Sequence, residues 1–119
     1  MNDYLLGVDI GCGGVKACII DIDGNVLGYS FREHEIISKQ PGWSESDPNI
    51  FWRNICDIIK EILEKSQIDP KKIKGISISS AVPSLVMVDK LKNPINLSYN
   101  FFDSRALDQI QWLKDNIGE

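Results

Sequence analysis

The sequence predicts an α/β fold: an antiparallel three-stranded meander, a helix, and a strand that rejoins the sheet in parallel, with the sheet left incomplete at the C-terminal end. Three observations predict it. Two turn signals, a glycine cluster at residues 11–14 and the stretch Asp21-Ile22-Asp23-Gly24-Asn25, divide the first part of the chain into apolar segments. Phe51, Ile55, Ile58, Ile59, Ile62 and Leu63 then repeat at helical spacing. A further apolar run follows, and a strand reached through a helix is most simply placed parallel to the strand it rejoins.

The apolar run from Leu5 that ends on Asp9 forms the first strand, residues 15–22 the second and 26–31 the third. Residues 32–37 extend the third strand or peel away from it, and His34, the only histidine, reads as a surface side chain in this charged run. Residues 40–48 are a loop by their Pro and Gly content, although they carry Trp43. Asp47 is a good N-cap and Pro48 a good first helical residue, so the helix starts there. It buries its isoleucine stripe on the sheet and leaves Arg53, Lys60, Glu61 and Glu64 in water. Asp69-Pro70 opens a short helical turn.

Ile73–Ser80 reads as a buried strand. Its end, residues 79–84, opens near the glycine cluster, because ligands gather at the carboxyl ends of parallel strands. Residues 85–88 read as another strand, 89–93 as a polar turn, and Asp103 as the cap of a last helix bearing Leu107, Ile110, Leu113 and Ile117. Gly118-Glu119 ends the sequence without a closing strand.

The chemistry concentrates in Asp9-Ile10-Gly11-Cys12-Gly13-Gly14-Val15-Lys16. Glycines let backbone N–H groups converge and let a bulky anion approach the main chain. Lys16 adds a positive charge. The Asp9 carboxylate repels phosphate unless a metal ion or its water shell lies between them. Lys16 is followed by Ala17 and not by Ser or Thr, and a strand and not a helix follows the glycines, so neither the Walker loop nor the dinucleotide fingerprint applies. A phosphate-binding hairpin remains, beside the plainer reading of a glycine-rich turn with an incidental aspartate.

At 119 residues, 43% hydrophobic and 25% charged, the chain suits one globular domain, and its net charge of −4 argues against nucleic acid as a partner. No stretch resembles a signal peptide or a membrane span, which makes the cytoplasm the default compartment. Cys12, Cys18 and Cys56 are odd in number and lack metal-ligand spacing, so no disulfide framework is expected.

Three separated stretches resemble the N-terminal domain of the FGGY carbohydrate kinases, the family of glycerol, xylulose and gluconate kinases. The segment from Asp9 to Lys16 is similar to the family's first phosphate motif, and Pro41-Gly42-Trp43-Ser44-Glu45-Ser46-Asp47-Pro48 to its Gly-Trp-x-Glu-x-Asp-Pro loop. Ile78-Ser79-Ser80-Ala81-Val82-Pro83-Ser84, with Asp89 and Phe102-Asp103-Ser104-Arg105-Ala106 behind it, resembles the sugar-side loop and the Trp-x-Asp-x-Arg segment.

The resemblance implies an RNase H-like, actin-type ATPase fold and transfer of the γ-phosphoryl of ATP, with Mg2+, to a hydroxyl of a sugar or polyol, a pentulose such as xylulose or gluconate. It implies that Asp9 lies near the metal, reached through water, and near the phosphates. It also implies that Gly11, Cys12, Gly13 and Gly14 wrap phosphate with Lys16 balancing charge, and that Val82, Pro83 and Asp103 face the substrate.

Cys12 stands where threonine is usual, which removes a hydroxyl donor. Val82-Pro83 offers sugar hydroxyls only backbone carbonyls and the Val82 N–H. Residues 1–119 then correspond to the first part of the kinase, stopping before its catalytic base and its C-terminal nucleotide domain, so the remainder of the chain is an expected partner and the fragment alone is expected to be inactive. Apolar surface left open by such a fragment favours a homodimer. The alternative from another class is a non-catalytic regulatory or assembly module of the actin-like ATPase fold.

Overall fold

A computed structural model describes residues 3–118. The expected meander is present as β1 (Tyr4–Ile10), β2 (Gly14–Asp21) and β3 (Val26–Glu33), joined in antiparallel register. Asp21 closes the second turn, its carboxylate accepting from the backbone of Asp23 and Asn25 and from the Asn25 amide. The chain then leaves the sheet. A two-residue strand β4 (Glu45–Ser46) is followed by helix α1 (Pro48–Ser66), a 3-10 turn at Pro70–Lys72 and strand β5 (Ile73–Ser80).

β5 lies parallel to β1, giving the order β3-β2-β1-β5. β6 (Ser98–Tyr99) pairs with β4 in a separate two-stranded sheet, and α2 (Leu107–Ile117) comes last. No helix among the described residues is long and apolar enough to cross a membrane.

α1 begins as its sequence dictates. The Asp47 carboxylate accepts from the Asn49 N–H at 2.9 Å, and Pro48 occupies the first turn, where a missing N–H has no consequence. The isoleucine stripe faces the sheet, with Ile58 and Ile62 buried against Leu6, Val8, Val15, Ala17 and Ile19. Arg53, Lys60 and Glu64 are exposed as expected. Glu61 is not left to water: it is half-buried and accepts hydrogen bonds from Ser30, Arg32 and Lys65.

Three further expectations are corrected. β5 is not a buried strand. It forms the sheet edge while α1 packs over β2 and β3, so Ile76 and Ile78 remain 64% and 66% exposed. Residues 85–88 form no strand. Leu85 exchanges two backbone hydrogen bonds with Tyr99 in an isolated bridge. Val88 lies opposite Pro94 in a second, held by the Asp89 N–H on the Asn93 carbonyl and the Ile95 N–H on the Met87 carbonyl. The anticipated polar turn at 89–93 is organised by the Asp89 carboxylate. Asp103 does not cap α2, whose N-cap position is Ala106 and carries no side-chain cap. The apolar residues of α2, Leu107, Ile110, Leu113 and Ile117, are all exposed.

Candidate functional site

The glycine cluster is the turn of the β1–β2 hairpin. Asp9 and Lys16 are cross-strand partners, so their side chains stand on the same face of the sheet, the face opposite α1. Both line a shallow depression of about 310 Å³ with Cys18, Tyr29, Ser77 and Ser79. Asp9 forms no ion pair among the described residues.

The hairpin is closed by the Gly11 N–H donating to the Gly14 carbonyl at 2.8 Å. That bond removes Gly11 from the set of amides expected to hold phosphate. The amides of Cys12 and Gly13 donate to no protein group among the described residues. Gly14 has a packing role. A Cβ there would stand 2.8 Å from the Arg32 carbonyl oxygen, so only glycine lets β3 run this close to the loop.

His34 is not the surface side chain its charged neighbourhood suggests. Its ring is half-buried, 4.7 Å from the Phe51 ring of α1, and Nε2 lies 2.9 Å from the Cys12 carbonyl oxygen. Its backbone N–H donates to the Gly13 carbonyl at 3.1 Å.

The end of β5 does open beside the loop, because the Ala81 N–H donates to the Ile10 carbonyl at 2.8 Å and ties the two strand ends together. A cleft of about 190 Å³ is walled on one side by Gly11 and Cys12 and on the other by Ala81, Val82, Ser84 and Asn100. A larger cavity of about 570 Å³ continues from it, sharing Ser84 and Asn100 and adding Pro83, Tyr99, Asp103 and Arg105.

Asp103 and Arg105 form the most tightly built part of this wall. Arg105 donates through Nε and Nη2 to the two Asp103 oxygens at 2.8 and 2.7 Å, and through Nη2 to buried Glu45 at 2.9 Å. Its guanidinium lies 3.9 Å from the Trp43 ring and 4.5 Å from the Tyr99 ring. The N–H of Ser44 and that of Arg105 complete the donors to Asp103, which fills the roughly four acceptor positions of a carboxylate. The Arg105 guanidinium, ahead of the backbone donors, holds the Asp103 carboxyl down at about 2, and Asp103, ahead of Glu45, pushes the Arg105 pKa further up.

The opposite side of the Trp43 loop is equally fixed. Gly42 has φ of +81°, and a Cβ there would meet Ser104 Oγ at 2.6 Å. The Ser104 N–H and Oγ both donate to the Gly42 carbonyl.

Sequence reasoning named Asp9, Gly11, Cys12, Lys16, Val82, Pro83 and Asp103 among the site residues, and the structure distributes them around adjoining surfaces at one end of the sheet. It missed His34, Glu45, Ser84 and Asn100. Glu45 and Ser84 were within reach, since they lie in the same motifs as Trp43 and Val82; the other two carry no local signal.

The sequence profile of the FGGY family of carbohydrate kinases, N-terminal domain, matches residues 4–119. The chain belongs to this family. A probable L-xylulose kinase of Haemophilus influenzae is 34% identical over 115 residues, covering 96% of this chain and 24% of its own length. The L-xylulose/3-keto-L-gulonate kinase of Escherichia coli is 32% identical over 120 residues, covering all of this chain and 24% of its own.

Among solved structures, the gluconate kinase from Lactobacillus acidophilus superposes with a TM-score of 0.90 at 26% identity, covering 99% of this chain and 23% of that one. The fold is therefore that of the FGGY kinases, an actin-like ATPase fold with a mixed sheet. The chain spans about a quarter of the length of the relatives it matches.

Proposed function

We propose that these residues are the N-terminal part of an ATP-dependent carbohydrate kinase that phosphorylates a hydroxyl of a sugar or polyol, a pentulose of the xylulose type or gluconate. The observation that carries this reading is the shared cleft: Gly11 and Cys12 of the glycine turn form one wall, and the substrate-side segment around Val82 forms the other. Phosphoryl transfer asks a protein for positioning and for neutralisation of charge on the transferred group. Cys12 and Gly13 supply N–H donors and Lys16 a cation.

Among the described residues no group of three or more His, Cys, Asp or Glu could hold a metal by itself. A single carboxylate beside a phosphate site is nevertheless a donor set that suits Mg2+, which keeps most of its waters and takes further oxygens from the phosphates. Asp9 would hold it through water, and the ion would supply charge neutralisation at the phosphates.

In the reaction the substrate oxygen forms a bond to the γ-phosphorus, the bond to the bridging oxygen of ADP breaks, and the hydroxyl proton passes to a base. We place that base outside these 119 residues. Val82 and Pro83 shape the sugar side, and Asp103 acts there by holding Arg105 against Trp43 and Tyr99. Arg105 is already matched by two carboxylates, which supports an uncharged ketose over a sugar acid. The compartment suited to such a kinase is the cytoplasm.

An ADP-release assay with a panel of ketoses, polyols and sugar acids tests the reading. The chain joined to the rest of its kinase is expected to turn over a ketose, and the 119-residue chain alone is expected not to. Absence of any sugar-dependent ADP release by the joined protein overturns the kinase reading. Robust turnover by the short chain overturns the placement of the base.

A further inference from the structure

We propose that His34 is a positioning residue that presents the Gly13 amide to a polyphosphate bound at the β1–β2 turn. The inference rests on reading that turn as a phosphate site. Three successive carbonyls of the turn are tied down: Cys12 by the His34 ring, Gly13 by the His34 N–H, and Gly14 by the Gly11 N–H. A carbonyl oxygen only accepts, so the 2.9 Å contact requires the proton on His34 Nε2. His34 Nδ1 is buried without a partner, which suits a bare ring nitrogen and not a second N–H.

The C=O and N–H of a trans peptide point in opposite directions. Drawing the Cys12 carbonyl toward His34 therefore turns the Gly13 N–H to the other side of the turn. Glycines on their own leave this peptide plane free to rotate, and a rotating donor contributes little to binding an anion. The ring of Phe51, tilted 53° against His34 at 4.7 Å, holds the imidazole from the α1 side. Residue 34 thus couples the turn to the core helix, and an apolar ring in its place would keep the packing while losing the donor.

The test uses the full protein with isotope-labelled glycine and histidine nitrogens, and tripolyphosphate as the probe. Ring nitrogen shifts are expected to show the Nε2–H tautomer, and the Gly13 amide is expected to move on titration. Replacing the donor in His34→Phe should weaken tripolyphosphate binding about fivefold, the worth of one hydrogen bond. His34→Gln places an amide donor at the reach of Nε2 and should bind within about twofold of the native protein. His34→Asn, too short to reach Cys12, should behave as His34→Phe does, and stands in for it should the latter fail to fold. A proton on Nδ1 alone, or donor-less variants that bind as tightly as the native protein, overturns the inference while leaving the phosphate turn intact. A native Gly13 amide that ignores tripolyphosphate overturns the phosphate reading, and this inference with it.

Discussion

The corner around Arg105 and the turn around Gly13 stand on adjoining surfaces and are built on opposite rules. At the corner every strong polar group has found a partner within the chain: Asp103 accepts from Arg105 and Ser44, Arg105 also reaches Glu45, and two aromatic rings flank its charge. At the turn the backbone carbonyls are tied while, among the described residues, the Cys12 and Gly13 amides meet no protein acceptor and Asp9 and Lys16 form no ion pair on the sheet face. The difference separates two tasks. Satisfied polar networks hold a wall in one shape, whereas unsatisfied donors held by a rigid frame are what an anionic ligand can use.

If the corner is structural, breaking it should cost more than anything done to the turn. Arg105→Leu leaves Asp103 and Glu45 without their cation and should lower stability more than any change at the turn, read from the denaturant midpoint. A loss below about 0.5 kcal/mol would remove the distinction between the two regions.

The frame beneath the turn should be the next most sensitive part. Gly14→Ala brings a methyl to 2.8 Å from the Arg32 carbonyl, and the β2–β3 pair must part to admit it, at a cost of about 2 kcal/mol.

Acid should loosen the corner by removing the charge of Asp103. Asp103 titrates near 2 in the folded chain against an ordinary 3.8, so its pairing contributes in full above about pH 4. Stability should fall as pH drops from 4 toward 2. Urea midpoints across this window should fall more steeply for the native chain than for Asp103→Asn.

Asp9→Asn should change stability by less than about 0.5 kcal/mol, because no ion pair is lost, yet reduce phosphoryl transfer by about a hundredfold in the joined kinase. Full activity in that variant would place Asp9 with the scaffold.

The smallest effect concerns association. Exposed Ile76 and Ile78 on β5 and Tyr29 and Phe31 on β3 favour a weak dimer of the isolated chain, and sedimentation as a clean monomer at high concentration would remove it.

The three strands of the meander, the start of α1 at Asp47-Pro48 and the Asp21 and Asp89 turns were legible in the sequence, because each depends on residues close together in the chain. The parallel placement of β5 followed from connection rules alone. Asp9, the glycines and Lys16 were legible as a polar turn, and the family resemblance set the phosphate reading ahead of a plain hairpin.

What stayed hidden joins distant parts of the chain. Ser98 Oγ donates to the Ser46 carbonyl across 52 residues, building the β4–β6 pair that carries the Trp43 loop, and no local pattern announces it. Asp103 looked like a helix cap because Asp before a helical stretch usually is one. The neighbouring Arg105 pairs with it, the folded chain brings the Ser44 N–H to it across 59 residues, and a charged pair outweighs a single helix N–H. His34 was unreadable for the same reason, since a ring in a charged run reveals nothing of the carbonyl 22 positions earlier that it meets.

The sequence by itself determined which segments fold and which residues have the chemistry to bind phosphate, since backbone propensity and donor type are properties of the residues. Only the tertiary structure decided which of those donors are left for a ligand, because that depends on what each group meets after the sheet, the helix and the Trp43 loop have come together.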